Sequence, residues 1–332
     1  MKVLHLTAFI TGGAGIAVMR LHNALLKNGI ESKVLCYFAQ DKDITEGVYK
    51  INPVRPLVAR VLNKIGWDKN SRSVKGLNGN YEAFTFPFSD YQLHKHPLVE
   101  DADLIHLHWI ADFVDIPTFF TNIRKKMIWT AHDLNPLLGG FHYEEDVKRC
   151  SEFSKIESKF MQTKHRFIWQ SDISFIGSST ITVEKIKEYL PGIPTYKIPC
   201  VLDVDGFQPI ESEKAKYVLG LSSSGYLILG SGADNLQNYR KGYWLLLEAI
   251  DLLSKEERQK IKVLSFGSED KITANSDLEI IRFEPVHNKR LHSILYSAMD
   301  YFVVPSLEET FGLTGTEALL CNTPLISSKT GG

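Results

Sequence analysis

Two carboxylates, Glu309 and Glu317, stand eight positions apart in PSLEETFGLTGTEALL, on either side of a Thr-Phe-Gly turn. Glu309 falls in the loop after the apolar run YFVVPS, and Glu317 in the early turns of the helix that LTGTEALLC begins. Carboxylates accept hydrogen bonds from paired hydroxyls of the kind a sugar or a ribose presents. The unpaired N–H groups at the helix start, around Phe311, Gly312 and Leu313, suit a phosphate. One stretch can therefore hold a sugar, a diphosphate and a ribose, with Glu309 in the mouth of the cleft. The simpler alternative is a pair of helix-start acids complementing the dipole. Glu308 falls outside the spacing and reads as a bystander.

Three further groups could do related chemistry. Arg240 and Lys241 precede the apolar helix pattern of GYWLLLEAI. Two cations beside a helix N-terminus oppose its dipole, and a bound diphosphate would reverse that sign; a solvated surface pair is the alternative. In TGGAGIAV, Gly13 and Gly15 let a phosphate or a sugar approach the backbone closely. That run fails the dinucleotide fingerprint, because the sixth position from Gly13 is Val18 and no acidic residue closes the next strand at Phe38. A tight turn alone would also explain the glycines. In IWTAHDLNP, His132 and Asp133 close a strand; a histidine there can donate to hydroxyls at a reacting centre or cap a loop with its aspartate. In LIHLHW, strand alternation points His106 and His108 the same way, so that His108 and Trp109 line a sugar site or sit in the core.

The elements that must position these residues follow from the apolar pattern. KVLHLTAF, SKVLCYF, ADLIHLHW, KMIWTAHD, DISFIGSS and TYKIPCVL read as strands of a first series, and YLILGSG, IKVLSFG, LEIIRFEP and DYFVVPS as strands of a second. Helical patterns run through GIAVMRLHNALLKNG, KGYWLLLEAIDLLS and NKRLHSILYSA. Continuous apolar strands alternating with helices predict an α/β chain of two doubly wound domains, 1–205 and 206–332, joined around the polar stretch Asp203–Glu213. In such sheets ligands sit beyond the carboxyl ends of the strands, where every residue above falls.

Composition excludes several classes. The 332 residues carry a formal charge of −1, which offers no bulk basic surface for nucleic acid. The four cysteines, Cys36, Cys150, Cys200 and Cys321, form no C-x-x-C pair, so neither a zinc site nor a disulfide framework is expected and a reducing cytoplasm suits them. Within the chain no apolar run approaches about 18 residues. PLVARVLNKIGWDKNSRSVKG places Leu57, Val58, Val61, Leu62 and Ile65 on one stripe flanked by Arg60, Lys64, Lys69, Arg72 and Lys75. Such a segment can lie on an anionic bilayer or pack as an ordinary helix.

With these residues in place the chain resembles a family-four retaining glycosyltransferase with the two-Rossmann-domain GT-B fold. Pro305-Ser306, Glu309, Phe311-Gly312, Glu317-Ala318, Thr323-Pro324 and Gly331-Gly332 carry the resemblance, together with Lys241-Gly242, Thr130–Asp133, Ser178-Ser179 and Asp203–Pro209. HLHW and TAHD…GGFHY look like a branch that assembles bacterial surface polysaccharides. The resemblance implies sugar transfer from a nucleotide-diphosphate-sugar, as donor substrate and not cofactor, to a glycan or lipid-linked acceptor at the inner face of the plasma membrane. It implies that Glu309 holds donor-sugar hydroxyls, that Glu317 holds the ribose, that Arg240 and Lys241 neutralise the diphosphate, and that His132 sits at the reacting carbon. His108, Trp109 and Asp133 fall on the acceptor side. Only Cys150 follows the His-Tyr pair, and Asp203–Asp205 falls at the domain boundary, so no metal is expected. Family members continue beyond the Gly-Gly pair, which implies a second domain cut short. A nucleotide-sugar epimerase or a non-catalytic nucleotide-sugar binding module shares the fold and the anion sites.

Overall fold

The computed structural model describes residues 1–51, 69–221, 225–232, 237–267, 278–286 and 288–331. The stripe of Leu57, Val58, Val61, Leu62 and Ile65 lies outside the described residues. The chain divides into two compact units, Met1–Val201 and Leu202–Gly332.

In the first unit the described strands are β1 (Lys2–Phe9), β2 (Glu31–Phe38), β3 (Val48–Lys50), β4 (Leu104–Leu107), β5 (Lys126–Ala131), β6 (Ile173–Gly177) and β7 (Thr195–Lys197). They form one sheet in the order β3-β2-β1-β4-β5-β6-β7, every pair parallel. Strand order reverses between β1 and β4, the switch point where open α/β sheets leave a crevice. Helices α1 (Gly12–Lys27), α2 (Ile116–Asn122), α3 (Ser154–Trp169) and α4 (Thr180–Tyr189) are among its connections. TYKIPCVL pairs only over Thr195–Lys197; Pro199 has no N–H to continue a ladder.

The central strands bury two different faces. Leu4, Leu6, Ile105, Leu107, Met127, Trp129 and Ala131 enter the main apolar core. The alternate positions are polar and equally buried: His5, Thr7, His106, His108 and Thr130. Register makes His5 and His106 direct neighbours across β1 and β4. The helix α3 covers its side of the unit with Glu157, Phe160, Lys164, His165 and Ile168, a helical stripe whose buried members are mostly ionisable.

The second unit holds β8 (Leu227–Gly232), β9 (Ile261–Phe266), β10 (Glu279–Phe283), β11 (Tyr301–Val304) and β12 (Leu325–Ser327), all parallel in the order β10-β9-β8-β11-β12. Its switch point lies between β8 and β11. Among its helices are α5 (Tyr243–Asp251), α6 (Lys289–Ser297) and α7 (Leu313–Leu320). Apolar clusters cover both faces, one around Phe266, Tyr296 and Phe302, the other around Tyr243, Ile250 and Val263. The stretch after Asp203 is fastened to this unit: the Gln208 and Ile210 N–H groups donate to Ser293 Oγ (3.3 Å) and Ser297 Oγ (3.1 Å), and Lys289 pairs with Asp203. Asp203 is thereby held as an ion-pair partner within the protein.

Candidate functional site

Beyond the ends of β8 and β11 the second unit gathers Arg240, Lys241 and Glu309. Two backbone features bring them together. Gly242 adopts a left-handed φ of 65°, and a Cβ there would lie 2.1 Å from the Pro305 carbonyl oxygen, so only glycine lets this turn pack on the loop after β11. The Leu307 N–H then donates to the Arg240 carbonyl at 2.7 Å, joining the two loops. Lys241 Nζ lies 2.5 Å from Glu309 Oε1, Arg240 Nη1 lies 3.7 Å from the same oxygen, and Ser306 Oγ donates to it at 3.2 Å. Arg240 Nη1 also donates to the Glu308 carbonyl at 2.8 Å, so Glu308 serves the site through its backbone.

Both cations thus face one carboxylate at the mouth of a helix. The helix α7 starts from Gly312, whose φ of 83° and missing side chain leave the first turn without a side-chain cap. Phe311, Gly312 and Leu313 lie at this start, partly buried, and a Cβ on Gly312 would meet nothing within 4 Å. Glu317 is buried one turn further on and accepts from the Tyr296 hydroxyl at 3.3 Å. Near the end of the chain, Thr330 donates to the Ser306 carbonyl, and a Cβ on Gly331 would come within 3.0 Å of Glu309 Cβ.

In the first unit the glycines of TGGAG divide by cause. Gly15 packs on the preceding strand end, where a Cβ would come within 2.3 Å of the Ile10 carbonyl carbon. Gly13 has ordinary backbone angles and open space where a Cβ would stand. Internal packing explains Gly15 and asks nothing of Gly13.

His132 and Asp133 leave β5 in different directions. Asp133 is buried with both oxygens in use: Trp109 Nε1 donates to it at 2.8 Å, His142 Nδ1 lies at 2.6 Å, and the Asn135 N–H donates at 2.9 Å. Burial pushes its carboxyl up, but His142, Asn135 and Trp109 outweigh that and hold it below the ordinary carboxylate value. Trp109 stacks on His142, with ring centroids 5.1 Å apart. Asp133 therefore sets the placement of Trp109 and of the loop that returns through Gly139–His142.

The same loop is fixed from below by α3. The Glu157 carboxylate accepts from the N–H groups of Gly139, Gly140 and Phe141. A side chain on Gly139 would come within 2.0 Å of the Glu157 carbonyl oxygen, and one on Gly140 within 2.3 Å of the Phe84 ring. Lys164 is fully buried and donates to the Asn135 carbonyl; burial pushes its pKa down to about 7 against the pull of Glu157 and Asp133. Glu157 and Lys164 escape a sequence reading because ionisable residues occupy buried helix positions where an apolar stripe is sought.

His132 runs the other way, into the histidine face of the sheet. His108 Nδ1 lies 3.0 Å from His132 Nε2, and His108 Nε2 lies 2.9 Å from His5 Nδ1. His106 Nε2 contacts Thr130 Oγ1 at 2.8 Å. With both nitrogens engaged inside the protein, His108 reaches a ligand only through His132. Burial first, then neighbouring imidazoles, hold His106 and His108 far below the usual histidine value. Burial takes His5 to about 3 and His132 to about 4. Ring nitrogens of His5, His106 and His108 all lie within 4.8 Å of one another, a neutral donor set chemically able to hold a cation, without a carboxylate in the group.

Known proteins resemble this chain in sequence and in fold. Residues 227–332 match the family described as Glycosyl transferases group 1. The D-inositol 3-phosphate glycosyltransferase of Xylanimonas cellulosilytica is 32% identical over 357 aligned positions, which take in 97% of this chain and 76% of that protein. With D-inositol 3-phosphate glycosyltransferase 2 of Catenulispora acidiphila the identity is 31% over 146 residues, 40% of this chain. That match and its nearest counterparts span about a third of the length of the curated relatives, 34% in this case. Among solved structures, sucrose-phosphate synthase from Thermosynechococcus elongatus superposes with a TM-score of 0.67 at 18% identity, covering 100% of this chain and 82% of the other. Anabaena HepE in complex with UDP-glucose gives a TM-score of 0.63 at 16% identity, with 100% and 81% covered. At such identities the likeness shows the fold, two parallel-sheet α/β units of the GT-B type. Fold and relatives agree, and the chain belongs to the group 1 glycosyltransferases.

Proposed function

We propose that the chain transfers a hexosyl group, with retention of configuration, from a nucleotide-diphosphate-sugar to a glycan or lipid-linked acceptor of a surface polysaccharide. The observation that carries this reading is the convergence of Arg240, Lys241 and Glu309 beside the uncapped start of α7. Breaking the anomeric C–O bond builds negative charge on the departing diphosphate and positive charge on the sugar ring. Arg240, Lys241 and the N–H groups from Gly312 onward are fixed where the first charge develops, so they stabilise it without reorganising. These cations take the part of a divalent metal, and no cofactor enters the reaction. Glu309 accepts from donor-sugar hydroxyls, and in doing so gives up part of its hold on Lys241. Glu317 meets the ribose. That HepE is described with UDP-glucose supports a nucleotide-sugar as donor.

The second unit, from about residue 206, takes the donor role, and the first takes the acceptor through Trp109 and the loops that Asp133 and His132 close. A lipid-linked acceptor puts the reaction at the cytoplasmic face of the membrane; among the described residues no helix is long and apolar enough to cross one. The test is incubation with radiolabelled UDP-, GDP- and ADP-hexoses, with and without a membrane-lipid and glycan extract. Label passing to the extract supports the reading. Epimerised donor formed without acceptor would replace it with an epimerase, and binding without turnover would replace it with a binding module.

A further inference from the structure

The histidine face under the first switch point holds a row of three imidazoles. His5 Nδ1 meets His108 Nε2 at 2.9 Å, and His108 Nδ1 meets His132 Nε2 at 3.0 Å. The ring centroids are 5.1 Å and 5.3 Å apart with planes tilted by 35° and 27°, so each contact lies along the line joining two rings. This is the geometry of N–H···N hydrogen bonds in series.

A neutral imidazole has one donor and one acceptor. In such a row the protons cannot be placed independently. Either all three rings carry the proton on Nδ1, or all three carry it on Nε2. The buried end of the row favours one of them. His5 is fully buried, and its Nε2 has no hydrogen-bond partner among the described residues. With the proton on Nε2, His5 would bury an orphaned N–H, the rarer kind of unsatisfied group; with the proton on Nδ1, it buries only a lone pair.

We propose that His5 and His108 are positioning residues that lock His132 as its Nδ1–H tautomer, with Nε2 tied into the sheet, so that His132 acts toward substrate as a hydrogen-bond donor and not as a base. This rests on the proposed placement of His132 at the sugar, but the tautomer itself does not. Donation suits a step in which a sugar hydroxyl or a departing oxygen gains negative charge, and the second nitrogen of a histidine fixes the role of the first. The same rings could instead gather around a metal ion. Two of the nitrogens that such an ion would need lie in hydrogen-bond contact at 2.9 Å, and no carboxylate joins the group to offset the charge.

The experiment is nitrogen-15 NMR of the full chain labelled at histidine, with His132 assigned by the H132Q spectrum. The expected result is His132 protonated on Nδ1 and unprotonated on Nε2. In H108N the amide keeps a donor toward His132 Nε2, and the tautomer stays; in H108L it is released into a mixture. With an acceptor, H108L loses kcat by about tenfold to a hundredfold while the donor KM moves little, and H108N recovers most of that loss. His132 protonated on Nε2 in the wild type would overturn the lock, as would an unchanged tautomer in H108L. One equivalent of zinc in the purified protein, or taken up from zinc chloride with shifts at His5 and His108, would overturn it in favour of a metal site. A correct tautomer in a protein without transfer activity would refute the placement of His132 at a sugar and leave the lock standing.

Discussion

Below the first switch point a row of buried imidazoles lies in hydrogen-bond contact, and beyond the second two cations share one carboxylate. His5, His106 and His108 are at most 5% exposed and held neutral by burial. Arg240, Lys241 and Glu309 keep their charges close together, with side chains 6%, 29% and 13% exposed. Desolvating an unpaired charge costs several kcal/mol, so a deep site keeps groups that can shed charge, while a site at the mouth of a helix keeps groups that pair. On the proposed reading the first arrangement fixes hydrogen-bond direction, and the second holds charge for a substrate.

Breaking the charged group should have the largest effect on activity. Lys241→Ala and Glu309→Ala are each expected to lower turnover by about a hundredfold to a thousandfold, with circular dichroism unchanged. The largest effect on stability belongs to the other unit. Glu157→Ala removes the acceptor of three backbone N–H groups and leaves Lys164 without a nearby carboxylate on its own helix, and should cost about 3 kcal/mol in urea unfolding.

The neutral histidines predict a pH dependence. An unfolded histidine titrates at about 6.5. His5 and His132 hold out to about 3 and about 4 in the folded chain. Below about 6.5 the unfolded chain therefore binds protons that the folded chain refuses. Stability from these groups is present above that pH and lost as pH falls toward 4. Thermal unfolding followed from pH 7 to 4 should show Tm falling, with a shallower fall in His5→Gln. At the small end, Glu279→Ala removes an exposed partner of Lys262 and should change unfolding free energy by less than about 1 kcal/mol.

How far the sequence discloses this difference depends on how each region hides its pattern. The strands around both switch points are continuous apolar runs, and their extents follow the reading closely, as in KVLHLTAF for Lys2–Phe9. The charged group was legible because loop residues after a strand have no packing reason to be Arg, Lys and Glu together. Edge strands β3 and β12 are three residues each, too short to show alternation. The sixteen-residue helix α3 shows no apolar stripe in the sequence, because Glu157, Lys164 and His165 are among its buried residues. The histidine row needed register: His5 reads as one polar residue in an apolar strand until β4 is laid beside it and His108 closes the line to His132. Gly13 and Gly15 look alike in sequence, and only packing separates them.

The most direct test of the charged site is calorimetric titration of UDP-glucose, then GDP- and ADP-glucose, into the wild-type chain and into Lys241→Ala. One of these donors should bind the wild type, and the variant should bind it at least about tenfold more weakly, as expected when one charge-assisted contact to a diphosphate is lost. Equal affinity in the two proteins would contradict a diphosphate site built from Arg240, Lys241 and Glu309.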